Sequence, residues 1–319
     1  MRNTVLIPTY RRPQDLSRCL KALQQQTKSV DQAIIVVRDT DTETQQFLCK
    51  FPHLLPLEIV TVTQPGVVAA LNAGLPQVQG DIVSITDDDA VPHRDWLAKI
   101  NTHFSVNSAI GGVGGRDWVY QGDKLEAGYR PIVGKLQWCG RVIGNHHLGI
   151  GAPREVDVLK GVNMSFRTQS LGNLRFDNRM KGTGAQVHFE MSFTLTLKRA
   201  GWKIIYDPSI AVDHYPAQRF DEDQRHNFND TALINLVHNE TLVLLEHLSP
   251  LRQAVFLSWS VLIGTRESLG ICQWLRLFPK QGQLASKKFL ASLQGRWLGY
   301  QQYRIQSERF NLAKQHFGY

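Results

Sequence analysis

Apolar and polar positions alternate with two different periods along the first hundred residues. Short, largely apolar runs predict buried β-strands, and they lie at residues 4–7, 33–37, 57–62 and 81–85. Between and after these runs, helical patterns are expected at residues 13–23, 42–50, 67–75 and 92–100. Strands that alternate with helices predict an α/β fold with a mostly parallel central sheet flanked by helices.

The rest of the chain has a less regular pattern. Residues 105–160 are rich in glycine and aromatic residues, and we expect a loop or a β region there. A dinucleotide-binding G-x-G-x-x-G pattern starting at Gly112 fails, because its sixth position is Asp117. The further elements expected are a helix at residues 187–199, a strand at 202–206, a strand-like stretch at 210–212 and a mainly helical segment at 229–319.

Polar segments follow three of the predicted strands, at residues 8–10, 38–41 and 87–89. Ligands bind beyond the carboxyl ends of parallel strands, so we expect the three segments at one ligand-binding edge. The last segment is Asp87, Asp88 and Asp89, whose like charges repel one another. A divalent cation such as Mg²⁺ or Mn²⁺ would neutralise them, since these ions prefer oxygen ligands. The alternative is a polar turn that caps the next helix.

An ordered set of motifs covers about residues 3–215. They are L-I-P-T-Y-R at 6–11, I-V-V-R-D-T-D at 35–41, a Gly…N-A-G helix at 66–74, the acidic strand at 80–89, G-V-N-M-S-F-R at 161–167 and A-G-W-K-I-I-Y-D-P at 200–208. No single motif is specific, but together and in this order they resemble the family 2 glycosyltransferases. The resemblance implies the GT-A fold, a Rossmann-like nucleotide-binding half, and sugar transfer from a nucleotide-diphosphate sugar.

The resemblance also implies roles for residues of the first half. The nucleotide-sugar-binding residues would be Pro8, Tyr10, Arg11, Asp39, Asn72, Asp87 and Asp88. Asp89 would be the main ligand of a Mn²⁺ or Mg²⁺ ion, with Asp87 and His214 as further ligands. Each assignment has a structural alternative. Tyr10 can be a packing aromatic, Asp39 a turn residue, and His214 a structural histidine.

Inverting transfer also needs a carboxylate that accepts the proton of the acceptor hydroxyl. The resemblance implies that this base lies a fixed number of residues before the A-G-W motif, and the same count in this sequence gives Glu190. Glu190 is the only carboxylate between Asp177 and Asp207, so that helix offers no rival acid. The alternatives are a surface glutamate with no catalytic role, and His188 as the proton acceptor.

The sequence departs from the family pattern at four positions. Leu71 stands where arginine is common, Phe189 and Ser192 replace acids around the base, and Thr196 stands at another arginine position. These departures leave open a catalytically inactive descendant that binds nucleotide sugars or membranes.

We expect a glycosyltransferase domain at residues 1–217 and a helical, basic extension at 218–319. The domain would divide into a nucleotide-sugar-binding half at 1–104 and an acceptor-binding half at 105–217. The net charge is +8, and residues 250–319 hold all of it, with ten basic and two acidic residues. The extension is therefore either a solvated helical cap or a contact for an anionic membrane surface. Its most apolar run, at 254–264, is too short to span a membrane.

Other function classes fit the sequence less well. A sugar nucleotidyltransferase needs a glycine-rich loop after its first strand, where this chain has P-T-Y-R-R-P. No nucleic-acid-binding module is present, and residues 1–249 are neutral overall. We expect a cytoplasmic enzyme, on the inner membrane face if the basic extension binds lipid. Its expected partners are a UDP-sugar and a carbohydrate or lipid-linked acceptor, for surface polysaccharide, glycolipid or glycan synthesis.

Overall fold

The computed structural model of the protein describes residues 1–52, 54–218, 220 and 228–317, with side chains as far as residue 308. The start of the predicted extension, at 219 and 221–227, lies outside these residues, as do the side chains of Arg309 and Lys314. The strands are β1 (Asn3–Thr9), β2 (Gln32–Arg38), β3 (Leu57–Val62), β4 (Ile82–Ile85), β5 (Ala90–Pro92), β6 (Ile110–Gln121), β7 (Lys124–Leu125), β8 (Lys135–Leu136), β9 (Val142–Ile143), β10 (Arg154–Glu155), β11 (Met164–Arg167) and β12 (Lys203–His214). The helices are α1 (Pro13–Gln24), α2 (Thr42–Lys50), α3 (Val67–Gly74), α4 (Trp96–Val106), α5 (Thr168–Leu171), α6 (Phe189–Arg199), α7 (Asp230–His247), α8 (Pro250–Leu262), α9 (Ile271–Gln281) and α10 (Gln283–Phe317).

Ten of these strands form one sheet, in the order β10-β12-β6-β11-β4-β1-β2-β3, with β5 on β12 and β7 on β6. Strands β3, β2, β1 and β4 run parallel, as do β6 and β12. Strand β11 is antiparallel to β4 and to β6, so it joins the two parallel groups. The α/β fold predicted from the sequence is confirmed. The region predicted as a loop or a β region, residues 105–160, contains the long strand β6.

In the first half of the chain, the local sequence accounts for the strands and helices. Strands β1 and β2 are apolar on both faces because helices cover both sides of a parallel sheet. Helix α1 begins at Pro13, whose ring fits the first turn, and its buried face includes Leu16, Leu20 and Leu23 at helical spacing. Together these strands and helices enclose a core that includes the fully buried Trp96 of α4.

A buried amide holds β6 and β12 together where their register shifts. The shift lies between Asp207 and Ala211. The side-chain nitrogen of Asn163 donates to the carbonyls of Arg116, at 3.2 Å, and Ile210, at 3.0 Å. Its oxygen accepts from the indole of Trp96 at 2.9 Å. Beyond this tie, both strands continue toward the candidate site.

The short strand β5 directly follows the aspartate triplet and pairs with the end of β12. The pairs are Ala90 with His214, Val91 with Asp213, and Pro92 with Val212. A single antiparallel register therefore joins the segment that carries the triplet to the strand that carries His214.

Gly115 of β6 lies too close to β12 for any side chain. A β-carbon there would lie 1.7 Å from the carbonyl oxygen of Ile210, a backbone atom that cannot rotate away. We expect Gly115→Ala to lower the free energy of unfolding, measured by urea denaturation, by about 3 kcal/mol. Gly144→Ala is the matched control, since the nearest atom to its new β-carbon is 4.0 Å away. Equal unfolding free energies for the two variants would contradict this account.

Two compact units divide the chain. The first holds Met1–Leu136, Val142–Asn178 and Glu190–Phe220, and it includes the whole ten-stranded sheet. The second holds Gln137–Arg141, Arg179–Phe189 and the described residues of Asp221–Tyr319. In the second unit, Leu233 and Val237 of α7 and Ala291 of α10 form a small apolar core. No helix within the described residues is long and apolar enough to cross a membrane.

Candidate active site

The candidate site lies in the first unit, where the carboxyl ends of β1, β4 and β12 meet. Asp87 and Asp89 follow β4, and His214 ends β12. One ligand atom from each of these three residues lies within 4.8 Å of the other two. The structure thus brings together the three residues that the sequence predicted as metal ligands.

Asp88 is buried and points toward the end of β1. Its carboxylate accepts a hydrogen bond from the hydroxyl of Thr9 at 2.8 Å and another from the guanidinium of Arg12 at 2.9 Å. Arg12 also donates to the carbonyl of Gln218 at 2.9 Å. Arg12 therefore compensates part of the negative charge of the aspartate triplet.

Asp89 is also buried, and it faces the segment that follows β12. The amide of Ala217 donates to its carboxylate at 2.9 Å, and the amide of Tyr215 donates to its carbonyl at 3.0 Å. The Nε2 atom of His214 lies 3.4 Å from Asp89 Oδ1, and Arg12 lies 3.6 Å from Oδ2. The main predicted metal ligand thus has a cation on either side.

His214 lies between two buried carboxylates. Its Nδ1 atom is 3.6 Å from Asp117 of β6, opposite the contact with Asp89. Asp117 is fully buried and forms a second ion pair, with Lys160. Oppositely charged groups therefore alternate through the site, from Arg12 to Lys160.

This arrangement shifts several pKa values. Burial acts most strongly on His214 and lowers its pKa, but Asp117 and Asp89 outweigh it and raise the pKa to about 9. For Asp117, burial raises the pKa, yet Lys160 and His214 lower it to about 2. Burial raises the pKa of Asp88 to about 7 despite Arg12. Burial would also raise the pKa of Asp89, but His214 and the Ala217 amide outweigh it and lower that pKa to about 2.

The residues present fit a divalent cation. Asp89 Oδ1 is buried and faces the His214 imidazole at 3.4 Å, and within the part of the chain that the structure describes it accepts no well-aligned hydrogen bond. A buried carboxylate oxygen is normally hydrogen-bonded or metal-bound, so this atom is available as a ligand. Asp87 adds a second carboxylate and His214 an imidazole, a donor set suited to a divalent metal.

The raised pKa of His214 predicts pH-dependent metal binding. Only the neutral imidazole can coordinate, so below about pH 9 the bound ion must displace a proton. We expect Mn²⁺ affinity to rise by up to roughly tenfold per pH unit from about pH 6.5 to pH 8.5. Counting free Mn²⁺ by electron paramagnetic resonance, without any nucleotide, measures this directly.

Two histidine variants make that experiment specific. His214→Gln should flatten the pH dependence of Mn²⁺ affinity. His93→Gln should leave it unchanged, because His93 has a raised pKa through Asp213 but is outside the metal cluster. A steep pH dependence that persists in His214→Gln would contradict coordination by His214.

The residues predicted for the nucleotide base lie at or just beyond the ends of β1 and β2. Tyr10 is half-buried, and the guanidinium groups of Arg11 and Arg38 lie 5.1 and 4.8 Å from its ring centre. Pro8 is half-buried in β1, and Asp39 is exposed in the turn after β2. The backbone of Arg11 has a positive φ of 56°, which is uncommon outside glycine.

Two further polar residues act on the local backbone. The buried Asp41 caps α2 through the amide of Thr44 and accepts the amide of Arg11 at 2.5 Å. The side-chain nitrogen of Asn72 donates to the Phe176 carbonyl and to Asn178, and its oxygen accepts the Phe176 amide. Asn72 thereby ties residues 176–178 to α3.

Glu190 lies in the first turn of α6 and is half-buried. Phe193, one turn later, stacks on Phe176 at 4.1 Å between ring centres and contacts Phe166 of β11 at 5.0 Å. These aromatic contacts anchor α6 to the first unit. They fix the helix that carries the predicted base.

The backbone just before Glu190 is unusual. Gln186 and His188 have positive φ angles of 42° and 76°. Such angles in residues other than glycine cost energy, and they cluster at functional sites. The loop is held from α7, where Asn239 donates to the carbonyls of Lys181 and Val187.

Three residues of the site escaped sequence reasoning. Thr9 and Arg12 lie at the end of the predicted first strand, but the family resemblance assigned the site roles there to Pro8, Tyr10 and Arg11. Asp117 entered the sequence analysis only as the residue that excludes a G-x-G-x-x-G dinucleotide-binding pattern, and no site role was predicted for it. An aspartate inside a glycine-rich, strand-like run was the feature that could have identified it.

A family model described as Glycosyl transferase family 2 matches residues 4–168, just over half of the 319-residue chain. The chain belongs to glycosyl transferase family 2. Residues 4–168 include β4, Asp117 and all of β1 except its first residue, whereas Glu190 and His214 lie beyond the match.

Two curated relatives share part of this sequence. Glycosyltransferase AglE of Haloferax volcanii is 32% identical over 100 residues, which cover 30% of this chain and 33% of AglE. The amylovoran biosynthesis glycosyltransferase AmsE of Erwinia amylovora is 35% identical over 97 residues, which cover 28% of this chain and 36% of AmsE. The chain therefore matches about a third of the length of these family relatives.

Solved structures of glycosyltransferases resemble nearly the whole chain. The mannosyltransferase PcManGT from Pyrobaculum calidifontis, in complex with GDP-Man and Mn²⁺, has a TM-score of 0.58 at 17% identity, covering 98% of this chain and 87% of that one. S. aureus TarS 1-349, in complex with UDP-GlcNAc, also has a TM-score of 0.58, at 15% identity, covering 96% and 92%. At such identities the likeness shows the fold, which is of the GT-A glycosyltransferase type.

Proposed function

We propose that this chain is a metal-dependent, inverting glycosyltransferase that moves a sugar from a nucleotide-diphosphate sugar to a hydroxyl acceptor. The observation that carries the proposal is the cluster of Asp87, Asp89 and His214 at the ligand-binding edge of a GT-A sheet. Membership in glycosyl transferase family 2 supports the reaction class. Of the similar solved structures, PcManGT contains GDP-Man with Mn²⁺ and TarS 1-349 contains UDP-GlcNAc.

The donor would bind where the aspartate triplet meets the end of β1. Asp89 is proposed as the main metal ligand, with Asp87 and His214 beside it. The bound ion would supply positive charge to the leaving diphosphate. Asp88, held by Thr9 and Arg12, would face the ribose and diphosphate. The imidazole of His214 favours Mn²⁺ over Mg²⁺, because Mg²⁺ prefers oxygen ligands.

The base would bind next to the loop after β1. Tyr10 and Pro8 are proposed to line its pocket, with Arg11 and Asp39 at the rim. The cationic groups around the Tyr10 ring support this assignment. For Asn72 we propose an indirect role, because its amide already holds Phe176 and Asn178.

Glu190 is proposed as the general base. Its carboxylate would take the proton of the acceptor hydroxyl while the oxygen attacks the anomeric carbon. The bond from that carbon to the diphosphate breaks, and the configuration at the carbon inverts. The strained backbone at Gln186 and His188 supports a functional role for this turn. His188 is the alternative proton acceptor.

The proposed donor is a UDP-sugar. We propose a carbohydrate or lipid-linked acceptor in cell-surface polysaccharide, glycolipid or glycan synthesis. The name of AmsE places that relative in amylovoran biosynthesis, which supports a polysaccharide pathway by analogy alone.

A panel of nucleotide sugars tests the proposal. Each donor is incubated with the full chain and Mn²⁺ or Mg²⁺, and release of the nucleoside diphosphate is measured. We expect one donor class to be consumed in the presence of metal and none in the presence of a chelator. The absence of release from every donor, with simple and lipid-linked acceptors, would overturn the catalytic proposal.

A second candidate is a catalytically inactive homologue that binds nucleotide sugars. Thr196, at a position where the family carries arginine, turns its hydroxyl back to the Ser192 carbonyl of the same helix. Helix α6 therefore brings fewer charged groups to the site than the family pattern implies. This candidate predicts donor binding in calorimetry without any turnover, which separates it from the first.

A further inference from the structure

Helix α9 is an amphipathic helix that has no buried residue. Ile271, Trp274, Leu275 and Phe278 recur at the i, i+3, i+4 and i+7 positions of its eleven residues. Such a stripe normally faces a protein core. In α9 none of the eleven side chains is buried. The described residues of the second unit therefore leave most of this apolar face exposed.

Most of that face is open to solvent. Leu275 is 59% exposed, Phe278 46% and Ile271 37%. Trp274 is the exception, because it stacks on Phe289 of α10 with 5.4 Å between ring centres. Its indole also donates to Ser286 of α10 at 3.2 Å. Trp274 therefore fixes the helix on α10 while the other three side chains remain available.

The end of α8 adds a second apolar surface in the same unit. Leu262 and Ile263 are 53% and 45% exposed. They border a shallow depression of about 360 Å³, whose lining residues are Ala254, Val255, Ser258, Trp259, Leu262 and Ile263. Exposed apolar surface of this kind, repeated on two neighbouring helices, is typical of an interaction site.

The charge of this segment indicates which partner it fits. Glu267 is the only acid between residues 250 and 307, and ten basic residues occupy 250–319. The exposed basic side chains nearest in sequence to α9 are Arg266, Arg276, Lys280 and Lys287. On the helix, Arg276 and Lys280 lie away from the apolar stripe. Lysine and arginine on the polar face of a short amphipathic helix are characteristic of helices that lie on anionic lipid.

We propose that α9 lies in the interface of an anionic membrane, with Leu275, Phe278 and Ile271 among the lipid chains. Arg276 and Lys280 would contact the phosphate headgroups from the polar face. Eleven residues are too few to cross a bilayer, so the helix would lie in the plane of the surface. The proposal concerns the second unit by itself and does not depend on the proposed transferase activity.

Sedimentation with lipid vesicles tests the proposal on the full chain. One vesicle contains equal parts of phosphatidylglycerol and phosphatidylcholine, and the other phosphatidylcholine alone. We expect the protein to sediment with the first and to remain in solution with the second. Leu275→Gln with Phe278→Gln should lower the partition coefficient by about tenfold or more. Arg276→Gln with Lys280→Gln should lower it by roughly thirtyfold, and salt should weaken binding of the unchanged protein.

Ile59→Gln with Val106→Gln is the matched control. Both residues are exposed apolar positions of the first unit, at 46% and 74%. This variant should bind vesicles as tightly as the unchanged protein, and circular dichroism should show that all variants are folded. Equal binding to neutral vesicles, or unchanged binding of the α9 variants, would overturn the proposal. So would a dimer in sedimentation velocity that Leu275→Gln with Phe278→Gln converts to monomer, because a second copy would then cover α9.

Discussion

Replacing Asp89 with asparagine should lower metal-dependent turnover of the preferred donor by roughly a thousandfold. Asp89 is the proposed main metal ligand, and one ligand atom each of Asp87 and His214 lies within 4.8 Å of its carboxylate. Asparagine keeps the size of the side chain but removes the charge that the ion needs. Mn²⁺ affinity, measured without donor, should fall together with turnover.

Asp95→Asn is the control for this variant. Asp95 lies in the same stretch of chain, but its side chain is 48% exposed and pairs with Lys99. Turnover and Mn²⁺ affinity should both remain at the level of the unchanged protein. If Asp89→Asn bound Mn²⁺ normally and still lost turnover, the carboxylate would act on the reaction through something other than the metal.

Glu190→Gln should lower the rate of sugar transfer by about 10²- to 10⁴-fold while the dissociation constant of the donor stays the same. Glutamine has nearly the same shape but cannot accept the proton of the acceptor hydroxyl. Because the loss would arise in the chemical step, kcat should fall rather than KM rise. Single-turnover kinetics with saturating donor and acceptor measure that step directly.

Two comparisons sharpen this result. Glu155→Gln removes an exposed glutamate that pairs with Lys198, and it should leave kcat unchanged. His188→Gln tests the alternative base beside Glu190. A large fall in kcat for His188→Gln, combined with normal transfer by Glu190→Gln, would move the proton acceptor to the histidine.

The first half of the fold could be predicted well, because its periodicities are local. Helix α2 occupies residues 42–50 as predicted, and α1 buries the leucines that the helical spacing selected. Strands β3 and β4 match the predicted runs to within one residue, whereas β1 and β2 are longer than predicted by three and two residues. Each of these helices and strands follows from the spacing of apolar residues within its own short stretch of sequence.

The second half was less predictable because its elements depend on distant partners. Strand β6 is rich in glycine, which weakens any strand prediction, yet Gly115 is required where the Ile210 carbonyl passes. The strand stretches at 202–206 and 210–212 were expected to be separate, but β12 (Lys203–His214) joins them in one strand through a register shift. Neither feature is visible within a short window, since each is defined by the other strand.

The candidate site shows the same division. The metal-ligand residues were selected from the sequence because adjacent carboxylates at a strand end are a strong local feature. Arg12, which balances part of their charge, was not selected, since it reaches the aspartates only in the folded chain, whereas His214 was implied by the family resemblance. Charge compensation is a property of the folded arrangement.

The pairing of β5 with β12 has a consequence for how this protein can diversify. Ala90 lies opposite His214, so one register sets the separation of the neighbouring Asp89 from the histidine. Inserting a single residue into β5 would turn its side chains to the other face and separate the ligands. The loops between β7 and β10 contribute no ligand to the cluster, so they can change in length and sequence while the ion keeps its ligands. The geometry of the cluster can therefore be kept while the surface that these loops form changes.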